Sequence, residues 1–180
     1  RLSSKSHWDV PIRSPLGTVH ILASHPTPPV FDGDEDRNGK RNADEIRFWN
    51  EYLSNRDNDW IIDDNGRRGG LGYAKRFVIV GDLNADPADG DGIRAAIVEL
   101  LENPRVLRMP TPSSEGAVES AALDAGANLK HRASASHDTG RFGPKVGNLR
   151  LDYALPSIGF GVRAKGVFWP KSGELGADWL

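Results

Sequence analysis

The sequence predicts a layered α/β domain, and three observations lead there. Stretches with strand character at 6–12, 18–24, 76–80, 149–155 and 162–169 are interleaved with two helical patterns, at about 43–54 and after Asp91. That alternation belongs to α/β folds rather than to an all-β sandwich. The run Phe77-Val78-Ile79-Val80 is continuously apolar, as in a strand buried on both faces. The 20 glycines and 12 prolines among 180 residues demand many loops and exclude long bundles and coiled coils. The length fits one domain.

The elements follow in order. SHWDVPI and TVHILAS, joined by Ser14-Pro15-Leu16-Gly17, read as a β-hairpin, with Val19, Ile21 and Ala23 on one face and His20 and Leu22 on the other. HPTPP at 25–29 is neither helix nor central strand, because proline removes donors and fixes φ. Asn42 and Glu45 have N-cap and N3 spacing, which starts a helix over about 43–54 with Ile46, Trp49 and Leu53 on one stripe. Arg76–Val80 is the expected central strand, and it ends in the loop GDLNADP. The next helix places Ile93, Ile97, Leu100 and Leu101 on one face. Residues 104–147, rich in Ser, Ala, Gly and Pro, read as a long, irregular, partly mobile excursion. LRLDYAL and VRAKGVFW then read as two further strands around Pro156-Ser157.

Composition narrows the function. With 23 basic against 25 acidic side chains and a net charge of −2, no global positive field recruits nucleic acid, so phosphate binding has to be local. The absence of cysteine excludes disulfide frameworks, thiolate zinc sites and cysteine nucleophiles. No apolar run approaches the roughly 20 residues of a membrane-spanning helix. An exported bacterial location is the expectation drawn from the missing cysteines and the lack of basic bias.

Ligands of open α/β sheets bind beyond strand C-terminal ends, and three polar segments lie at or beside such ends. In GDLNADP, Asp82 and Asn84 offer hard oxygen ligands for Mg²⁺, Mn²⁺ or Ca²⁺ and could orient a water on phosphorus. An Asx turn uses the same residue types. His25, presented before Pro26, can bind a phosphate oxygen or shuttle a proton, or can simply be a surface imidazole. Asp152, between Leu151 and Tyr153, needs a partner such as an imidazole if its strand is interior, and none if the strand is an exposed edge.

The loop at 31–45 reads three ways. Asp34, Asp36, Asn38, Gly39 and Glu45 match the spacing of a calcium loop, although HPTPPVFDG cannot form the incoming helix of an EF-hand. Arg37, Arg41 and Asn42 could instead supply fork-shaped donors to a substrate phosphate beside His25. A solvated charged loop is the third reading.

Taken as an ordered set, SHWDVPI, LASHPTPP, FVIVGDLNADP, LRLDYALPS and GVFWP resemble the endonuclease/exonuclease/phosphatase superfamily over about Ser3 to Pro170. The resemblance implies a four-layered α/β sandwich, here as a partial domain, with a metal-dependent phosphoesterase site at the edge of two sheets. It makes His25 the first catalytic histidine, near the scissile phosphate. Asp82 and Asn84 become the pair that positions water, metal and phosphate, and Asp152 the acid that orients a second histidine. The Ser-Asp-His segment expected to carry that histidine, and the N-terminal strands with an Asn and a metal-binding Glu, have no counterpart between Arg1 and Leu180. The expectation is a fragment that holds part of a catalytic set and leaves apolar sheet surface for missing segments or self-association. The implied function is a divalent-metal-dependent phosphoester hydrolase with a water nucleophile, acting on a small phosphodiester, a phospholipid head group or nucleic acid. A non-catalytic binding module on the same fold and a calcium-stabilised interaction domain are the alternatives.

Overall fold

A computed structural model describes residues 3–54 and 58–179. Strands β1 (His7–Ser14) and β2 (Gly17–Ser24) form the predicted antiparallel hairpin, with Trp8 opposite Ala23 and Val10 opposite Ile21. β3 (Arg76–Asp82) lies parallel to β2 in the middle of the sheet. After two short strands, β4 (Gly140–Arg141) and β5 (Asn148–Leu149), which pair with each other, β6 (Asp152–Pro156) runs antiparallel to β3. The main sheet has the order β1-β2-β3-β6.

Helices α1 (Arg37–Leu53) and α2 (Arg94–Glu102) cover one face of this sheet. Ile46, Trp49 and Leu53 of α1 and Ile97 and Leu100 of α2 are buried against Leu22, Phe77, Ile79, Tyr153 and Leu155. Strand alternation sends the intervening residues to the opposite face. There Trp8, Val10, Ile12 and Ala154 are exposed, and Val19, Ile21, Ala23, Val78 and Val80 are half-buried. Among the described residues, this face of the four-stranded sheet is therefore apolar and largely uncovered. No helix among the described residues is long and apolar enough to cross a membrane.

Four expectations need correction. First, α1 begins six residues early, after Asp36 in the left-handed region (φ 48°), and its free Asn38 N–H is taken by the Asp32 carboxylate. Asn42 and Glu45 are thus interior helix positions, and the acceptor at the helix start comes from outside the predicted capping pair. Second, α2 opens at Arg94, which leaves Ile93 outside the helix and 38% exposed.

Third, the 104–147 excursion is built of regular pieces. α3 (Glu115–Asp124) starts at Ser114, whose hydroxyl accepts from Ala117 N–H, and α4 spans Gly143–Val146. Ala- and Gly-rich helices carry little apolar periodicity, which hid α3 from pattern reading. Fourth, 162–169 forms no strand. It is irregular and is tied to the start of α3 by Val167 N–H to Ser113 O and by Gly116 N–H to Trp169 O.

Candidate functional site

The site grows out of one row of the sheet. The residue parity that gives the uncovered face its apolar side chains also gives that face His25, just past the end of β2, Asp82 at the end of β3 and Asp152 at the start of β6. Asp82 and Asp152 are direct cross-strand partners. His25 Nε2 lies 3.7 Å from Asp82 Oδ2, and the imidazole side chain is 60% exposed. The structure therefore brings together three residues that are 57 and 70 positions apart in sequence.

Asn84 closes the group. Its backbone adopts the left-handed region (φ 49°), which asparagine tolerates better than most residues. Asn84 N–H donates to Asp82 Oδ1 at 2.8 Å, an Asx turn, so the turn reading of this loop holds. Asn84 Nδ2 donates to Pro26 O at 3.0 Å, which commits the amide nitrogen to the His25 loop and leaves Oδ1 as the group for a ligand. Gly81 makes the approach possible, because a Cβ there would lie 2.0 Å from Ser24 O.

Electrostatics mark Asp82. Burial pushes its carboxyl above the usual carboxylate range, and the Asp152 carboxylate across the strand pair adds to that. The Asn84 N–H and the His25 imidazole pull the other way. A carboxylate facing a second carboxylate, with a carboxamide oxygen alongside, is a donor set that suits a hard divalent cation. No group of three or more His, Asp or Glu side chains among the described residues is placed to hold a metal ion. A cation placed here would rest on one or two carboxylates with Asn84 Oδ1 and would keep several waters, as Mg²⁺ does.

The residues assigned to phosphate separate. Asn42 is fully buried and its Nδ2 donates to the carbonyls of Thr27, Leu83 and Asn84 at 2.9, 3.0 and 3.2 Å, so it ties the two site loops together and is not available to a phosphate. Arg37 reaches Glu35 at 3.5 Å on the exposed start of α1, and Arg41 lies one turn further along the same helix. Among the described residues neither makes an ion pair with a site residue. The calcium-loop reading fails too. Residues 37–45 are helical, and Glu45 turns inward to accept from Thr27 N–H at 2.5 Å and Ser4 N–H at 2.8 Å. Burial works to raise the Glu45 pKa, but these two amides and the Ser3 and Thr27 hydroxyls outweigh it and hold it below the usual range.

Sequence reading missed what fixes the site from behind. Asn42 and Glu45 extend the buried stripe of Ile46, Trp49 and Leu53, and two polar residues on an apolar stripe were the available signal. Asp86, also buried, accepts from Ala88, Asp89 and Arg150 N–H. From Asp152 a groove of about 840 Å³ runs along the outer edge of β6, lined in part by 106–112 and 164–167.

Three comparisons bear on this geometry. A family model described as endonuclease/exonuclease/phosphatase family matches residues 4–174. Among solved structures, sphingomyelinase C from Streptomyces griseocarneus superposes with a TM-score of 0.50 at 15% identity, covering 91% of this chain and 46% of that one. A β-hairpin deletion mutant of beta toxin from Staphylococcus aureus gives 0.49 at 15% identity, covering 92% and 48%. A double mutant of the same toxin, solved with bound magnesium ions, gives 0.45 at 13% identity, covering 91% and 46%. No curated protein sequence matches. The chain spans about half the length of the solved structures it matches. The architecture is thus the deoxyribonuclease-like α/β sandwich fold of the sequence expectation.

Proposed function

The chain belongs to the endonuclease/exonuclease/phosphatase family, and from that premise we propose that it serves as a divalent-metal-dependent phosphoester hydrolase with water as the nucleophile. The observation that carries the reading is the convergence of His25, Asp82, Asn84 and Asp152 at one end of the sheet, with Asp82 opposite Asp152. Asp82 and Asn84 Oδ1 would hold the cation, with Asp152 contributing charge from the neighbouring strand. When bound, the cation supplies Lewis-acid stabilisation of phosphoryl oxygens.

The chain's own groups do the rest. Asp82 is an acceptor for a water proton. His25, at the exposed rim, donates from its imidazole to a phosphoryl oxygen while Asp82 restrains the ring. The groove along β6 gives the remainder of the ester a place beside Asp152. The uncovered apolar face is where further segments or a second copy would pack.

The test is hydrolysis of a chromogenic phosphodiester and of DNA with Mg²⁺ or Mn²⁺, for wild type, His25→Ala and Asp82→Asn. Metal-dependent turnover that drops by about 10²-fold or more in both variants, with unchanged thermal melting, is the expected result. Wild-type rates in Asp82→Asn overturn the assignment. A folded, metal-loaded wild type without turnover on any phosphoester moves the reading to a binding module on the same scaffold.

A further inference from the structure

Asp152 stands opposite Asp82 at the first residue of β6, and like charges directly across a strand pair push those strands apart. The start of a strand is also where pairing frays most easily. Something has to hold this corner closed, and three side chains do so, two of them from outside the main sheet. The N–H groups of Leu151 and Asp152 both donate to the single hydroxyl of Thr139, each at 3.0 Å. The preceding Arg150 N–H donates to Asp86 Oδ2 at 2.8 Å. Tyr153 OH donates to Ala85 O at 2.7 Å and lies 3.0 Å from Arg150 O. Thr139 is itself pinned, its N–H donating to Leu149 O at 2.9 Å.

Building on the phosphoesterase reading, we infer that Thr139 is a positioning residue. It uses one hydroxyl to fix the consecutive amides of Leu151 and Asp152 at the entry to β6 and so holds Asp152 against Asp82, where its carboxylate adds negative charge beside the cation site of Asp82 and Asn84. The excursion over 104–147 then has a role in the site, since it delivers this hydroxyl from outside the sheet.

Valine keeps the shape of Thr139 and removes the acceptor. Serine keeps the acceptor and removes the methyl group. The experiment follows the backbone amides of wild type, Thr139→Val and Thr139→Ser by NMR, through hydrogen exchange and through broadening by added Mn²⁺. In wild type and Thr139→Ser, the Asp152 amide is protected and Mn²⁺ broadens Asp82, Asn84 and Asp152 together. In Thr139→Val, protection at Asp152 is lost and Mn²⁺ binding weakens about tenfold, as for removal of an outer-shell partner, while the Phe77 and Ile79 amides stay protected. Unchanged Asp152 protection and Mn²⁺ affinity in Thr139→Val overturns the proposal, as does a serine variant that behaves like valine. If wild type shows no Mn²⁺ broadening but Thr139→Val still deprotects Asp152, the brace stands and the metal-dependent reading of the site falls.

Discussion

Replacing Asp138 by asparagine should stabilise this protein at alkaline pH and leave it nearly unchanged in mild acid. Asp138 is 4% exposed, immediately before Thr139. Burial pushes its carboxyl up to about 7, with the neighbouring Asp86 and Asp89 carboxylates reinforcing the rise and His131 opposing it. The native state therefore binds this proton more tightly than the unfolded chain does. Its stabilising effect is complete below the ordinary aspartate pKa of about 4 and is lost as pH rises to about 7. Three pH units at 1.36 kcal/mol each set a ceiling of about 4 kcal/mol, and solvent screening and relaxation around the charged form reduce it to about 2 kcal/mol.

Asparagine has the shape of the protonated acid and cannot ionise. The neutral amide also removes the like-charge repulsion from the Asp86 and Asp89 carboxylates. Thermal melting followed by circular dichroism at about pH 4.5 and about pH 8 is the assay. Asp138→Asn should melt about 4–8 °C above wild type at the higher pH, the shift that 2 kcal/mol gives in a chain of this size, and within about 2 °C of it at the lower. An offset independent of pH, or a lower melting temperature at alkaline pH, would refute the reasoning.

Two further perturbations follow from the packing. Arg105, 4% exposed, donates to the carbonyls of Leu53, Leu71, Gly72, Tyr73 and Lys75 and lies over the rings of Tyr73 and Phe77, so Arg105→Met should cost about 3–5 kcal/mol in urea unfolding. Arg105→Lys should recover little of that, because one ammonium cannot reach five carbonyls, and full recovery by lysine would show that charge alone matters there. Glu45→Gln should cost about 1–3 kcal/mol at neutral pH. Because the Glu45 pKa is depressed, its contribution is present above about pH 4.3 and fades as pH falls through the native value. The variant's melting temperature should approach that of wild type below about pH 4, and an offset that stays constant into acid would count against the role given to this carboxylate.

Much of the scaffold was legible because it is written in short-range patterns. The hairpin follows from two alternating runs and a Ser-Pro-Leu-Gly turn, and β3 from an apolar run bounded by Arg76 and Gly81. His25, Asp82 and Asn84 could be singled out because each is polar and lies at or just past the end of a readable strand, and Asp152 because it is an acid inside an apolar run. Helix α1 was misplaced at its start because Asn42 and Glu45 carry a local capping signature while their actual partners, Ser4, Thr27, Leu83 and Asn84, lie between 15 and 42 positions away. The same spacing of acids that suggested a calcium loop is used by a helix, because a buried carboxylate that finds two backbone amides has no need of a cation. The 162–169 segment has strand composition, yet composition does not supply a partner edge, and this segment pairs instead with the start of α3.

What the sequence by itself determined is the α/β class, the central strand and the set of polar strand-end residues, since these depend on side-chain alternation and on turn chemistry within a few residues. What only the tertiary structure decided is which of those residues meet. Parallel pairing of β2 with β3 sets His25 beside Asp82, and antiparallel pairing of β3 with β6 sets Asp82 against Asp152. A one-residue slip in either register would turn one of these side chains to the other face. Asn42, Glu45, Asp86 and Thr139 fix that register from elsewhere in the chain, through hydrogen bonds whose strength depends on burial and on long-range contact.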